Sequence, residues 1–282
     1  MWKKRPQGKD DRPLKTLDRV LSLAGLCSRT EARSWIGRAR VSVNGKLIQT
    51  PDHWVDLKLH TVSVDGKPIQ ARKRRYLLLY KPTGYLTTYK DPQNRPTVYD
   101  LLGDIPDFVS PVGRFDLDTS GLLILTNDAL LAERLTNPAY KVPKTYLVKA
   151  AGALTEEQLD QLRRGVQLHD GPTQPAEVVR VRGNDKSTFL ELTIREGRNR
   201  QVRRMLEAVG SRVRKLVRIA IGPLRIGELE IGKYRALTTV ELDALWEQSG
   251  GRPASQLPVK KQTPAPVRKR RSETKPPPRR KR

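Results

Sequence analysis

The sequence predicts an α+β protein with two folded domains between basic termini. Its 282 residues allow roughly two domains of about 150 residues each. Residues 14–70 combine short helical stripes with hairpin turns. Residues 75–248 hold more strands than helices and lack the regular strand–helix alternation of a parallel sheet, which favours a mainly antiparallel mixed sheet flanked by helices. Residues 1–13 and 252–282 form a polar, basic lead and tail.

Two short helices are expected at the start of the first domain. Apolar residues recur at helical spacing over residues 17–24, and Gly25 is placed to end that helix. The second helix begins with a capping box, Ser-Arg-Thr-Glu at 28–31, in which the serine hydroxyl and the glutamate carboxylate bind each other's free amides. Arg29 and Arg33, four residues apart, then project from one side of this helix.

Two hairpins follow these helices. Val41 and Val43 alternate into Asn44-Gly45, a pair that favours the type I′ turn because both of its central residues need a positive φ. The segment 62–66 has the same pattern. The arginine-bearing helix and the hairpins together predict a basic face, which is either a solvated surface or a contact for nucleic acid.

The second domain begins after a basic hinge at 72–75. Strands are predicted at 76–80, 144–150 and 188–195. Two further apolar runs, at 112–115 and 122–125, are expected to be buried strands on either side of a loop. Because residues 188–195 alternate apolar and polar side chains, one face of that strand is expected to be wet. Helices are predicted from an Asn127 or Asp128 cap, from capping boxes at Thr155–Gln158 and Thr238–Glu241, and from the stripe Val202–Val209.

A polar loop, Gly113–Gly121, separates the two apolar runs. It carries Arg114, Asp116 and Asp118 between elements that are expected to be rigid. Two carboxylates two residues apart suggest a metal site or an acid–base pair, but no third oxygen ligand is near them. From spacing alone these aspartates are either turn-forming residues or catalytic ones.

The apolar stripe Val202–Val209 is accompanied by four arginines, Arg198, Arg200, Arg203 and Arg204. Spacing favours a solvated basic face for them. Arg203 is the exception, because at 100° per residue it sits beside Val202 on the border of the buried side.

Charge and composition restrict the function classes. The 55 Lys+Arg residues oppose 30 Asp+Glu residues, and the net charge of +25 indicates a polyanionic partner. The sequence has no run of about 18 apolar residues and a polar start, so we expect a cytoplasmic protein without a membrane partner. A single cysteine, Cys27, excludes an internal disulfide framework, and with three histidines and no CxxC or HExxH motif no metal is expected.

The tail is predicted to be disordered. From Arg252 to Arg282 it has twelve Lys/Arg residues against Glu273 alone, and Pro276–Pro278 forbids a helix. Composition leaves two roles open for it, a solubilising appendage or an arm that grips nucleic acid.

The first domain resembles the S4 RNA-binding domain. Its segments "LDRVLSLAGLCSRTEARSWI" and "RVSVNGKLI" match the helix pair and the Val-Asn-Gly turn of that family. The resemblance implies a domain that binds structured RNA by shape and phosphate contacts. The residues it would turn toward the RNA are Arg29, Thr30, Arg33, Arg40, Asn44 and Lys46.

The second domain resembles pseudouridine synthases. The segments "KPTGYLTT", "GRFDLDTSGLLILTND", "KTYLV", "EGRNRQVRRML" and "VRIAIGPL" occur in the order seen in that family. With an S4-like unit before them, residues 14–248 are similar to the RsuA/RluB family of bacterial ribosomal RNA pseudouridine synthases. The basic tail favours the large-subunit RluB kind.

This resemblance implies roles for five residues. Asp116 is the catalytic carboxylate, Arg203 is its basic partner, and Tyr146 is the aromatic ring that packs on the target base. Arg114 fills the gap left by the displaced nucleotide. Asp118 has a structural role.

The expected reaction needs no cofactor. The N1–C1′ bond of uridine breaks, the retained uracil turns, and C5 joins C1′. Flipping the nucleotide out of a helix costs a few kcal/mol, of which stacking on Tyr146 returns about 1–3 kcal/mol. A carboxylate shielded from water tends to take up a proton, and an arginine partner opposes this. Three steps stay open to Asp116: attack on C1′, attack on C6, or removal of the C2′ proton.

The expected partner is ribosomal RNA, 23S before 16S, or a precursor of a ribosomal subunit, bound by a monomer. The alternative is a non-catalytic S4-type RNA-binding factor in ribosome assembly. The enzyme is favoured because a pure binder does not need Asp116, Tyr146 and Arg203 in motif order. A phosphoryl-transfer or dinucleotide enzyme would need a P-loop or a GxGxxG motif, which the sequence lacks.

Overall fold

A computed structural model describes residues 14–56, 59–69, 73–103, 105 and 108–252. The predicted lead and, apart from Arg252, the predicted tail lie outside the described residues. Within the described part of the chain, no helix has the length and the apolar character needed to cross a bilayer.

The first domain packs two short helices against short strands. In chain order its elements are β1 (Lys15–Thr16), α1 (Leu17–Leu23), α2 (Arg29–Gly37), β2 (Val41–Val43), β3 (Lys46–Leu47), β4 (Trp54–Val55), β5 (Val62–Val64) and β6 (Lys67–Pro68). Strands β2 and β5 pair in antiparallel fashion at the centre of a four-stranded sheet, with β3 and β6 at its edges.

The local signals of this domain act as predicted. Ser28 Oγ accepts a hydrogen bond from the Glu31 amide at 3.2 Å, and Glu31 Oε2 accepts one from the Ser28 amide at 3.4 Å. Asn44 and Gly45 have φ values of 50° and 78°, as a type I′ turn requires. Leu17 and Ile36 are fully buried in the core that joins the helices to the strands.

The second domain contains the remaining elements of the described chain. They are β7 (Tyr76–Lys81), a 3-10 helix (Val98–Leu101), β8 (Ser110–Pro111), β9 (Thr119–Thr126), α3 (Ala129–Thr136), a second 3-10 helix (Pro138–Tyr140), β10 (Lys144–Ala151), α4 (Glu156–Arg164), β11 (Gln167–Leu168), β12 (Gly171–Pro172), β13 (Glu177–Asn184), β14 (Ser187–Ile194), α5 (Gln201–Ala208), β15 (Val213–Ile221), β16 (Leu224–Arg225), β17 (Tyr234–Ala236) and α6 (Thr239–Gln248).

A nine-stranded mixed sheet is the backbone of this domain. Its main order is β13-β14-β10-β15-β9-β7-β17, with β16 on β15 and β8 on β9. Strands β9 and β15 run parallel, and the other pairings described for this sheet are antiparallel. The predicted α+β class with a mainly antiparallel sheet is therefore confirmed.

The predicted helix caps are confirmed as well. Asp128 Oδ1 accepts from the amides of Leu130 and Leu131, and both predicted capping boxes, at the starts of α4 and α6, are closed. Helices α4 and α5 cover one apolar face formed by β10, β13 and β14, while α3 and α6 cover a second one. Leu190 and Leu192 are buried and Glu191 is partly exposed, which confirms the wet face of β14.

The apolar run Val112–Phe115 is not a strand, contrary to prediction. Gly113 has a φ of 79°, which takes the chain out of the extended conformation, and residues 112–118 form a loop. Val112 is buried and its amide donates to Ile124 at 2.8 Å, so its apolar character reflects packing. The following strand begins at Thr119, and the loop with both aspartates is shorter than predicted.

Candidate active site

A cavity of about 490 Å³ lies where the loop 112–118, β10, β15 and the start of α5 meet. Three of the sequence-predicted residues, Arg114, Asp116 and Tyr146, line it. The fourth, Arg203, lies on α5 beside Gln201 and Val202, which line the cavity, and its Nε is 3.9 Å from Asp116 Oδ2. The fold thus gathers residues that are far apart in the sequence.

The loop that carries Asp116 is held by hydrogen bonds with Thr87 and Gly84. Thr87 Oγ1 accepts a hydrogen bond from the Phe115 amide at 3.2 Å and donates one to the Phe115 carbonyl at 3.3 Å. The Gly84 amide donates to the Leu117 carbonyl at 2.9 Å. These contacts fix the main chain on both sides of Asp116, so the carboxylate is presented from a rigid support.

Lys81 secures the end of the same loop. It is fully buried, and its Nζ donates to the carbonyls of Pro82 and Thr119, each at 2.9 Å. Burial lowers the pKa of Lys81 to about 8, although Asp118 and Asp116 oppose the shift.

Two aspartates and two arginines form a charge cluster at the cavity. Arg203 Nη2 lies 2.9 Å from Asp118 Oδ2 and also donates to the Asp118 carbonyl at 3.2 Å. Arg203 Nε lies 3.9 Å from Asp116 Oδ2 and has no hydrogen-bond partner among the described residues. Arg200 Nη1 donates to Asp116 Oδ2 at 3.4 Å. Arg203 therefore ties down the loop through Asp118 and faces Asp116 with an unused donor.

Arg200 is a site residue that sequence reasoning missed. It was expected on a solvated face, but it caps α5 in the left-handed conformation with a φ of 48°, which turns its guanidinium back toward Asp116. A positive φ at a non-glycine residue leaves no periodic signal in the sequence.

The solvated-face interpretation is also wrong for Arg198 and Arg204. Arg198 pairs with Glu196 at 3.2 Å and Arg204 with Asp170 at 2.9 Å. Only 26% of the Arg198 side chain and 16% of the Arg204 side chain are exposed. Both arginines brace the segments that lead into and surround α5.

Tyr146 and Arg218 are neighbours across the pairing of β10 and β15. Tyr146 is partly buried. The Arg218 guanidinium lies 4.2 Å above the ring of Phe115, and its Nε donates to the Leu122 carbonyl at 2.9 Å. Burial lowers the pKa of Arg218, and the Tyr146 phenol opposes this. The cavity wall beside Tyr146 is thus aromatic and cationic.

Lys144 adds a second buried cation to that wall. Its Nζ donates to the Val142 carbonyl at 3.0 Å. Burial and the nearby charge of Arg218 lower the pKa of Lys144 to about 8. Neither Lys144 nor Arg218 was singled out from the sequence, because the other lysines and arginines of their strands, such as Lys149 and Lys215, have the same residue types and the sequence does not show which of them is buried.

The first domain brings Arg29 and Arg33 together on one carboxylate. Asp18 is fully buried, and its Oδ2 lies 2.8 Å from Arg29 Nη2 and 3.0 Å from Arg33 Nε. Burial alone would raise the pKa of Asp18, but hydrogen bonds from Thr16 and the two arginines lower it. About half of each arginine side chain stays exposed, at 57% and 48%, so the pair is fixed and still accessible.

The other four residues assigned to RNA contacts lie on the surface of this domain. Arg40 forms a two-point ion pair with Asp65, at 3.0 and 2.5 Å. The Asn44 side chain accepts from the Thr61 amide at 2.8 Å. Thr30 and Lys46 are exposed. The RNA contacts of these residues stay predictions.

No cluster of three or more His, Cys, Asp or Glu side chains that could hold a metal ion occurs among the described residues. Asp116 and Asp118 are instead engaged by arginines. This charge cluster, the cavity and the aromatic wall define the candidate active site.

Comparison with known proteins gives the family. Residues 75–208 match the family model described as RNA pseudouridylate synthase, and residues 15–57 match the S4 domain. Ribosomal large subunit pseudouridine synthase B of Bacillus subtilis is 38% identical over 237 residues, which are 82% of this chain and 96% of the relative. The chain belongs to the RNA pseudouridine synthase family.

Further similarities agree with this assignment. An uncharacterised RNA pseudouridine synthase of Aquifex aeolicus is 43% identical over 235 residues, 83% of this chain and 94% of the relative. A crystal structure of a pseudouridylate synthase is 31% identical, with a TM-score of 0.59 over 82% of this chain and 99% of that chain. The synthase is an isomerase that carries an S4 domain before its catalytic domain, as its motifs indicated.

Proposed function

We propose that the synthase isomerises a uridine of bacterial 23S ribosomal RNA, with Asp116 as its catalytic carboxylate and the target nucleotide flipped into the cavity. The observation that carries the proposal is the position of Asp116. Its carboxylate lines the same cavity as Tyr146 and Arg218, and 31% of its side chain is exposed. The large subunit is favoured because the Bacillus subtilis relative is named for that subunit.

The cavity supports a reaction on an extruded nucleotide. Its volume of about 490 Å³ lies within the range of pockets that enclose small ligands. A uracil ring stacked on Tyr146 regains part of the free energy spent on flipping, about 1–3 kcal/mol. The ring then has Asp116 on its sugar side, where the N1–C1′ bond breaks.

The two arginines of the charge cluster place positive charge next to the Asp116 carboxylate. Arg200 donates to it directly, and Arg203 presents its unused Nε at 3.9 Å. A carboxylate that is held by arginines and still exposed to the cavity can act as a nucleophile or as a base. Arg114 is exposed at the cavity, where it occupies the gap that the flipped nucleotide leaves in the RNA.

The S4 domain supplies affinity for the RNA around the target. Arg29 and Arg33, held in place by Asp18, offer two guanidinium groups at a fixed spacing to backbone phosphates. Phosphate contacts position an RNA without reading its sequence. Selection of one uridine then depends on the shape that both domains recognise together.

The proposal is tested on ribosomal RNA from a strain that lacks the synthase gene. The purified full-length protein is incubated with the 23S and 16S RNAs, and pseudouridines are mapped chemically. The wild type is expected to modify a 23S uridine, and Asp116→Asn is expected to lose the activity while it keeps its RNA affinity. Asp185→Asn, which removes an exposed carboxylate from the turn between β13 and β14, is the matched control.

Each contrary result has a defined meaning. Modification of 16S RNA alone would refute the 23S assignment, and full activity of Asp116→Asn would refute the role of that residue. If the wild type modifies neither RNA, and Asp116→Asn restores normal ribosome assembly in the deletion strain, the protein acts as a non-catalytic assembly factor.

A further inference from the structure

Two buried cations in the cavity wall have no acidic partner among the described residues. Arg218 is 5% exposed and Lys144 is 8% exposed. Lys144 Nζ donates to the Val142 carbonyl and Arg218 Nε to the Leu122 carbonyl. Arg218 also forms a hydrogen bond with the neutral Tyr146 side chain, while its Nη2 is buried without an acceptor in the described part of the chain. Asp116, which lines the cavity, and the neighbouring Asp118 pair with Arg200 and Arg203 instead.

This arrangement is unfavourable for the empty protein. A buried charge costs free energy unless a counter-charge or a full set of hydrogen bonds compensates it. Arg218 stays protonated even when it is buried, because the ordinary pKa of arginine is so high. Lys144 is a second cation nearby, and the charge of Arg218 adds to the effect of burial in lowering the pKa of Lys144. Both observations indicate that an anionic group enters the cavity during the reaction.

An RNA substrate offers two anionic groups, a backbone phosphate and the uracil ring during the reaction. The cations differ in depth along the cavity. Arg114 is exposed and the Arg200 side chain is 44% exposed, so these two suit phosphates that remain near solvent. Arg218 is buried beside Tyr146, on which the proposed function places the base. The ring is therefore the group that reaches Arg218.

The isomerisation itself makes the uracil ring anionic. When the N1–C1′ bond breaks, both bonding electrons stay with uracil and spread from N1 to O2 and O4. The C5–C1′ bond then forms from these electrons, C5 releases its proton, and N1 takes one up, so atoms and charge balance. Attack of a carboxylate on C6 also pushes electrons onto O4. All three steps open to Asp116 thus place negative charge on the ring.

We infer that Arg218, supported by Lys144, is a further catalytic residue that binds the uracil oxygens and stabilises the negative charge on the ring. The inference rests on the proposed function, since it needs a uridine in the cavity. A donor that is already in place where charge develops lowers the barrier without any reorganisation. The stacking of Arg218 on Phe115, at 4.2 Å, keeps the guanidinium in that place.

Single-turnover rates and RNA dissociation constants of full-length variants test the inference. Arg218→Gln is expected to slow the reaction of saturated enzyme about 100-fold, the effect typical of losing one such donor, with little change in RNA affinity. Lys144→Met is expected to slow it less. The control is Lys149→Met. Lys149 is on β10 like Lys144, but its ammonium group lies over the ring of Phe189 on β14, so this variant is expected to leave the rate unchanged.

A substrate with a better leaving group separates catalysis from structure. Fluorine at C5 stabilises negative charge on the ring, so RNA with 5-fluorouridine at the target position should suffer a smaller rate defect in Arg218→Gln than uridine RNA does, measured as consumption of the target nucleoside. An equal defect for both substrates would make Arg218 structural and overturn the inference. If Arg218→Gln does not fold, the rate defects of Lys144→Met on the uridine and 5-fluorouridine substrates are compared instead, with the same interpretation.

Two further outcomes are informative. A variant that loses RNA affinity and shows a weaker salt dependence of binding, but keeps its rate, would assign the two cations to a phosphate. Absence of pseudouridine formation by the wild type would contradict the proposed function, and it is recognised before any variant is compared.

Discussion

Replacing Gly121 with alanine should separate the two parallel strands behind the active site. Gly121 pairs with Arg218 where β9 meets β15. A Cβ atom at this position would lie 2.2 Å from the Arg218 carbonyl oxygen and 2.6 Å from its amide nitrogen. Both are main-chain atoms, so no side-chain rotation relieves the overlap. The φ of Gly121 is 110°, a conformation that alanine rarely adopts.

The expected destabilisation can be estimated from this geometry. Raising the shortest contact from 2.2 to 3.0 Å, the lower limit for such contacts, moves one strand by about 0.8 Å and weakens the parallel pairing at residues 119–121. Loss of about two hydrogen bonds costs roughly 2 kcal/mol, and the unfavourable φ costs roughly 2 kcal/mol more. A total of about 4 kcal/mol is a large part of the 5–15 kcal/mol by which domains are usually stable.

Thermal unfolding measures this effect. For a protein of this size, about 4 kcal/mol lowers Tm by about 8–16 °C. Gly152→Ala is the matched control, because Gly152 also has a positive φ, 77°, but its Cβ would meet nothing within 4 Å. The control is expected to lose only about 1–2 kcal/mol. Equal losses in the two variants would show that the close approach of Arg218 contributes nothing, and the geometric reasoning would be refuted.

Three other substitutions test the supports of the two sites. Asp18→Asn should destabilise the first domain by about 2 kcal/mol, since a charged acceptor of several hydrogen bonds is lost. Because the folded protein lowers the pKa of Asp18 below 3.8, the difference in unfolding free energy between wild type and variant should shrink as the pH falls below about 4. A difference that persists there would contradict this. The pKa of Lys81 is about 8 in the folded protein against 10.5 in the unfolded chain, so the unfolded chain binds more protons between these pH values. The unfolding free energy of the wild type relative to Lys81→Met should therefore rise from pH 8 to 10.5 in denaturant titrations. A difference that does not change with pH would show that the lysine is not desolvated. Thr87→Val removes both hydrogen bonds to the Phe115 main chain and should lower kcat about 10-fold, the cost of roughly 1.4 kcal/mol in positioning, with unchanged RNA affinity. Thr88→Val serves as the control, because the Thr88 hydroxyl donates to the Lys90 carbonyl and not to the loop that carries Asp116; equal rates for the two variants would mean that the loop is positioned by other contacts.

Much of the secondary structure could be predicted because its signals are local. The capping box at Ser28, the Asn44-Gly45 turn and the cap at Asp128 each depend on residues within four positions along the chain, and all three are confirmed. The run Val112–Phe115 was predicted wrongly for the same reason. Apolar composition reports burial, but the positive φ of Gly113 decides that the segment is a loop.

The candidate site was less accessible to prediction than the fold. Motif resemblance pointed to Asp116, Tyr146 and Arg203, and the structure brings these residues to one cavity. The motif resemblance did not reveal that the shortest ion pair of Arg203 is with Asp118, at 2.9 Å. A difference of 1.0 Å between two carboxylates, two residues apart, depends on the exact course of the loop.

The class of the fold, the order of its domains and the family could be predicted from the sequence, because periodicity, caps and motifs depend on residues that are close along the chain. Which charges are compensated became visible in the folded structure. Asp18 meets Arg29 and Arg33 across the first domain, and Arg218, beside Tyr146, has no acidic partner among the residues that the structure describes. Such pairings join residues from separate elements, and the free energy of a charge depends on its distance to partners and to water in three dimensions.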